Sequence, residues 1–319
     1  MDPLRRKLFG DGIAQLKSTY DVCLFPGEQC SAKAIRAHSI QNGRILEQLS
    51  LHGHVVVPRL QIREGGAPEV AFEKIGRRNA TTFTGLCGRH DSLLFRPIEE
   101  NEIDRRDPQH LFLLAYRALL RECHASRKAA VDLQTNYKRG ASMGVWPSDS
   151  PSEAGMLAVE KMVAAFMIEC VKAEYDLAYV SADWRRLDHW VVRLGVGPTV
   201  AVSSFLSTGL YSSQTDQAAF VALSVIPVDR ETIAIFSFLR ECRPQVRKAY
   251  SSIMNGPRRN VALELSRLIL VKCENIAISP WLFDSYEDSK RKIISEYARS
   301  VDEWLPLSGG PDVNLFVAE

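Results

Sequence analysis

The chain has 319 residues, of which 46% are hydrophobic and 24% charged, and a formal net charge of only +2. Such a length supports a substantial core or two domains. The near-neutral balance removes any global electrostatic signature of a nucleic-acid binder. The N-terminal stretch lacks an apolar secretory core, and no apolar run is long enough to span a bilayer, so a cytoplasmic protein is expected. Seven cysteines, an odd number scattered unevenly, favour metal ligands plus buried thiols over a disulfide framework.

In the first hundred residues, "AKAIRAHSI" predicts a short strand ending at His38. "ILEQLSL" predicts a turn or two of helix. The β-branched run "HVVVPRLQI", flanked by His52 and His54 and ending at Gly65 and Gly66, predicts a strand, and "EVAFEKI" another. "GRHDSLLFRPIEEN" reads as a solvated stretch before a helix. Glu99, Glu100 and Glu102 form an acidic cluster there, and Phe95, Pro97 and Ile98 pack toward the next element.

Asp107 and Pro108 make a helix start, with leucines and alanines at helical spacing to about Leu133. A Gly-, Pro- and Ser-rich loop follows. A second helix opens at Ser150-Pro151, with Glu153 placed for a capping box. Met156, Val159, Val163, Phe166, Met167 and Cys170 mark its expected packing face. From Leu187 onward, closely spaced β-branched and aromatic runs ("DHWVVRLGV", "TVAVSSFL", "AAFVALSVIPV", "TIAIFSFL") predict antiparallel strands, with a hairpin in "IPVDRETI". Helical segments, a short strand "NIAIS" and a helix running from Ser279-Pro280 past Val301 to Trp304 complete the pattern. The expected class is α+β: an N-terminal zinc-bound module over 1–106, a connector of two long helices over 107–180, and an antiparallel-sheet α+β domain over 181–319.

Two local pairs of soft ligands stand out, Cys23 with Cys30 in "CLFPGEQC" and Cys87 with His90 in "LCGRHD". Each pair closes a small loop at little entropic cost, and one ion then closes the long loop between them. Three thiolates and an imidazole suit tetrahedral Zn²⁺. With all four positions filled by protein, such a zinc is structural. The competing reading makes the cysteines small buried hydrophobes and His90 an ordinary hydrogen-bonded histidine.

This arrangement resembles the HNH nucleases, whose core is a treble clef, or ββα-metal unit. A cysteine pair precedes a strand that ends in a general-base histidine, and an asparagine precedes a knuckle. The resemblance covers about residues 21–96. It implies Cys23, Cys30, Cys87 and His90 as structural zinc ligands. It also implies His38 as the general base, Asn79 as the residue that orients it, and Asp91 at the position of the closing catalytic-metal ligand. The chain departs from the family in its C-x6-C spacing, in Ala37 before His38, and in a knuckle ending His-Asp. The resemblance further implies Mg²⁺ or another divalent ion for hydrolysis, a DNA or RNA substrate, and a context in microbial defence or mobile-element biology. The alternative is a non-catalytic, zinc-stabilised binding or adaptor protein that meets a protein partner through its C-terminal domain.

Other candidates are weaker. Cys123 and His124 are adjacent on a helix and point about 100° apart, so they cannot easily share a metal; the cysteine reads as packing and the histidine as surface. Cys170, Cys242 and Cys273 read as core. "VSSFLSTGL" lacks a nucleophile elbow, with only His189 near it in sequence, and no phosphate-binding loop is present. Trp184, Trp190 and Trp281 could stack bases, but packing is the commoner use.

Overall fold

The computed structural model describes residues 2–27, 30–62, 69–146, 152–195, 197–211, 218–228, 231–299 and 312–316, with backbone alone at 258, 259, 293 and 296–299. Helix α1 (Pro3–Leu16) precedes an extended segment carrying Cys23 and Cys30. Then come β1 (Ile35–His38), a π-helical turn (Asn42–Leu46) running into α2 (Glu47–Leu49), β2 (His54–Gln61), β3 (Glu69–Gly76), β4 (Thr82–Leu86) and α3 (Gly88–Glu100). Two long helices follow, α4 (Pro108–Ser142) and α5 (Glu153–Val180), and then β5 (Leu187–Arg193), β6 (Val200–Tyr211), β7 (Ala218–Val228) and β8 (Glu231–Leu239). The remainder is α6 (Arg243–Ala249), α7 (Ser251–Asn255), α8 (Arg258–Lys272), β9 (Ile276–Ile278), α9 (Pro280–Ser285) and α10 (Asp288–Arg299). The class is α+β, and among the described residues no helix is long and apolar enough to cross a membrane.

All strand pairs are antiparallel. β1 pairs only with β4, and the other seven strands form one sheet in the order β3-β2-β9-β6-β7-β8-β5. Helices α4 and α6 both pack on β6, β7 and β8. With this cover most of their residues are buried, including the first seven of β6, which is why they read as continuous apolar runs without alternation. The sheet crosses the expected divisions at 106 and 180: β2 of the first hundred residues pairs with β9 at Val56 and Ile278. Asn275 fixes this junction, its Nδ2 donating to Ser39 Oγ at 2.9 Å and to the Ser203 carbonyl at 2.7 Å.

Several elements differ from the sequence expectation. Residues 88–100 are helix α3 instead of a solvated loop, because Leu94, Phe95 and Ile98 bury one face beside α4. Helix α4 continues past Leu133 to Ser142. Its late turns are held by α1, where Gln15 Nε2 donates to Asp132 at 2.9 Å. At Gly140 the Trp146 ring lies where a Cβ would stand, with Nε1 only 2.0 Å away, so the close approach requires glycine. Helix α5 is capped by Ser152, whose Oγ accepts the Gly155 amide at 3.1 Å; Ser150 and Pro151 lie outside the described residues.

The face of α5 expected to pack is turned outward. Ala158, Ala165, Ile168, Val171, Tyr175 and Ala178 are buried instead, while Met156, Val159, Val163 and Phe166 are exposed. The small alanines let α5 lie close against α4. The C-terminal helical run breaks into α9 and α10, and Gly65, Gly66, Val301 and Trp304 lie outside the described residues. His124 is buried rather than at the surface, with Nε2 2.8 Å from the Tyr20 carbonyl and 3.1 Å from Thr84 Oγ1. Cys123, Cys242 and Cys273 are buried, and Cys170 is half-buried. Trp184 packs on Phe112 and Trp190 on Phe238, whereas Trp281 is exposed.

Candidate metal centre and adjoining cleft

The hairpin β1–β4 and helix α3 bring the ends of the long loop together. Leu24 donates its amide to the Gly85 carbonyl at 2.8 Å, which draws the Cys23 segment alongside β4. Cys87 is the N-cap of α3, so both Cys87 and His90 sit at the start of the helix. The result is a cluster of Cys23, Cys30, Cys87 and His90 whose ligand atoms all lie within 4.8 Å of one another. Cys30 Sγ and Cys87 Sγ are 3.8 Å apart, and Cys23 Sγ is 3.3 Å from His90 Nδ1. A tetrahedral zinc with Zn–S of about 2.3 Å and Zn–N of about 2.0 Å sets edges of about 3.8 and 3.5 Å, close to these two separations.

The surroundings favour thiolate at Cys87. Burial raises the Cys87 thiol, but backbone amides of His90 and Arg89 at the helix N-terminus outweigh it, and the pKa falls below the ordinary value. Burial dominates at Cys23 and pushes its thiol up, which a bound cation would reverse. The His90 ring is stacked on Phe25, with centroids 4.0 Å apart, which fixes its orientation. The cluster could hold a metal such as zinc.

A cleft of about 720 Å³ opens beside this centre, and His38 and Asp91 both line it. His38 is the last residue of β1, and Asp91 lies in the first turn of α3. His38 Nε2 is 3.2 Å from the Arg77 carbonyl. A carbonyl only accepts, so Nε2 carries the proton and Nδ1 keeps its lone pair. Burial lowers the His38 pKa below its usual 6.5, partly offset by that carbonyl and by Glu99. Burial raises the Asp91 pKa, opposed by the charge of Arg117.

The chain was compared with protein-family models, with curated proteins and with solved structures. No match was found in any of the three.

Asn79 does not meet His38. Its Oδ1 accepts from Arg36 at 3.4 Å, and it lines a separate cleft of about 220 Å³ with Arg36, Arg59 and Arg121. The group that holds the His38 ring is the Arg77 backbone, in the turn between β3 and β4. Sequence reasoning missed the cations of the larger cleft: Arg36, Arg89, Arg96 and Arg117 are four arginines around His38 and Asp91. Among the described residues Arg36 and Arg89 have no carboxylate partner, while Arg117 is tied to Glu99 at 2.6 Å and Arg96 to Glu100 at 3.1 Å. Arg117 also lies over the Phe95 ring at 4.1 Å. A lone arginine inside "LLAYRALL" was the signal available for it, since a buried guanidinium needs a partner.

His189 stands apart from the serines of β6. Its Nδ1 is 2.8 Å from Ser237 Oγ on the paired strand β8, and burial lowers its pKa to about 4.

Proposed function

We propose that the chain is an HNH-like, metal-dependent nuclease that hydrolyses phosphodiester bonds of DNA or RNA, with Cys23, Cys30, Cys87 and His90 holding a structural zinc. The observation that carries this reading is the shared cleft: a neutral histidine at the end of β1 and a carboxylate in the first turn of α3 face one space surrounded by arginines. Arg36 and Arg89 would hold a phosphate as ion pairs. His38 Nδ1 would take a proton from water as the new P–O bond forms and the bond to the departing sugar oxygen breaks. Asp91 would bind a divalent cation such as Mg²⁺, which would stabilise charge on the phosphoryl oxygens.

The second reading, a zinc-stabilised binding or adaptor protein, is favoured by a different observation. Among the described residues the Cys₃His cluster is the single group of three or more metal-suited side chains, so no second three-ligand set forms around Asp91. Incubation of the purified protein with DNA and with RNA, in Mg²⁺, Mn²⁺ and in chelator, separates the two. Divalent-dependent cleavage supports the nuclease, and intact substrate under every metal supports the adaptor.

A further inference from the structure

The outward face of α5 follows a seven-residue repeat. Met156, Val163, Cys170 and Leu177 occupy one position of the heptad, and Val159, Phe166, Ala173 and Val180 the other. No polar residue interrupts these eight positions, and all are exposed except half-buried Cys170. Phe166 is 67% exposed, Val180 70% and Met156 66%. The helix packs on α4 through a different set of residues, so this stripe is surplus to the fold.

The period identifies what covers it. A straight α-helix drifts about 20° per heptad, so the stripe slants by about 60° between Val159 and Val180. Only a second helix wound around α5 keeps contact along the whole seam, about 36 Å long. We infer that α5 of one copy pairs with α5 of a second copy of this chain, making a homodimer through a two-helix seam.

Two features select a second copy as the occupant. The exposed apolar side chains continue along the whole stripe from Met156 to Val180 and onto its border at Met162, the kind of extended face from which a stable dimer buries about 800 Å² per partner. The acidic residues along its borders are neutralised within the same chain: Glu160 by Lys161 at 3.8 Å, Glu169 by Arg127 at 2.5 Å, and Glu174 by Arg186 at 2.8 Å. Two like faces therefore approach without net repulsion. Running antiparallel about a twofold axis at residue 168, they bring Phe166 of each copy against Cys170 of the other.

Sedimentation equilibrium of the full chain tests this, comparing wild type with Phe166→Glu, Val180→Glu and Phe166→Leu. The wild type and Phe166→Leu are expected to be dimers. Both glutamate variants raise the dimer Kd by at least about 100-fold, because an unpaired carboxylate enters an apolar seam. Circular dichroism and zinc content per chain stay unchanged in all four, since these side chains are exposed in the monomer. A wild type that is monomeric at about 100 μM, a concentration well above that of specific dimers, overturns the inference. So does a dimer that persists in both glutamate variants, and the seam would then belong to another helix or to another part of this chain.

Discussion

Replacing Cys87 by serine removes one of the four sulfur and nitrogen atoms that converge within 4.8 Å. A structural zinc in a small domain contributes about 10–16 kcal/mol at neutral pH, so one ligand's share is about 3 kcal/mol. Cys87 is buried and caps α3, and the metal joins that cap to the Cys23 and Cys30 segment across more than fifty residues of intervening chain. The seven-stranded sheet forms without β1 and β4, so the first effect of the change is a release of the Cys23 and Cys30 segment. We expect wild type to bind one zinc per chain and Cys87→Ser to lose most of it. The melting temperature should fall by roughly 4–5 °C, and limited proteolysis should cut near residues 20–30 in the variant first. A variant that keeps a full equivalent of zinc and the wild-type melting temperature would refute the assignment.

Because burial holds His38 below its ordinary pKa of 6.5, the neutral ring predominates at pH values where a free histidine is half protonated. Cleavage that needs the neutral ring should show its inflection in kcat/KM below pH 6.5; an inflection at or above 6.5 argues against His38 as the base. Asn79→Ala should change the cleavage rate by less than about fivefold, because its amide bonds Arg36 and not His38. A loss as large as that of His38→Ala would show that the asparagine orients the base after all. Phe112→Ala should destabilise the chain by about 3–5 kcal/mol, because its fully buried ring packs on Tyr116, Tyr175 and Trp184; denaturant unfolding reads this directly.

What could be read from the residues follows from how local the physics is. The Cys₃His cluster was legible because its ligands come in two short pairs, and each pair announces itself by spacing alone. Strands β5 to β9 were legible because β-branched runs between turn residues need no tertiary knowledge. The joining of β2 to β9 was not, because it pairs residues more than two hundred apart through a single bridge at Val56 and Ile278. The packing side of α5 differs from the expected one for a specific reason: its larger apolar residues face outward, whereas the alanines and Tyr175 are buried. Helix α3 was obscured by the charges and the proline in "FRPIEEN", and the burial of Leu94, Phe95 and Ile98 overrides them. In the cleft, His38 could be placed at a strand end, but its partner is a backbone carbonyl, which no side-chain pattern reveals.

The most direct test of the nuclease reading is the single-turnover cleavage rate of wild type against His38→Ala, with zinc content confirmed equal in both. His38 lies outside the Cys₃His cluster, so its loss leaves the metal centre in place. The account predicts divalent-dependent cleavage by wild type and a rate lower by about 10²–10⁴ in the variant. Equal rates in the two proteins, or no cleavage by wild type with any divalent ion, would contradict it.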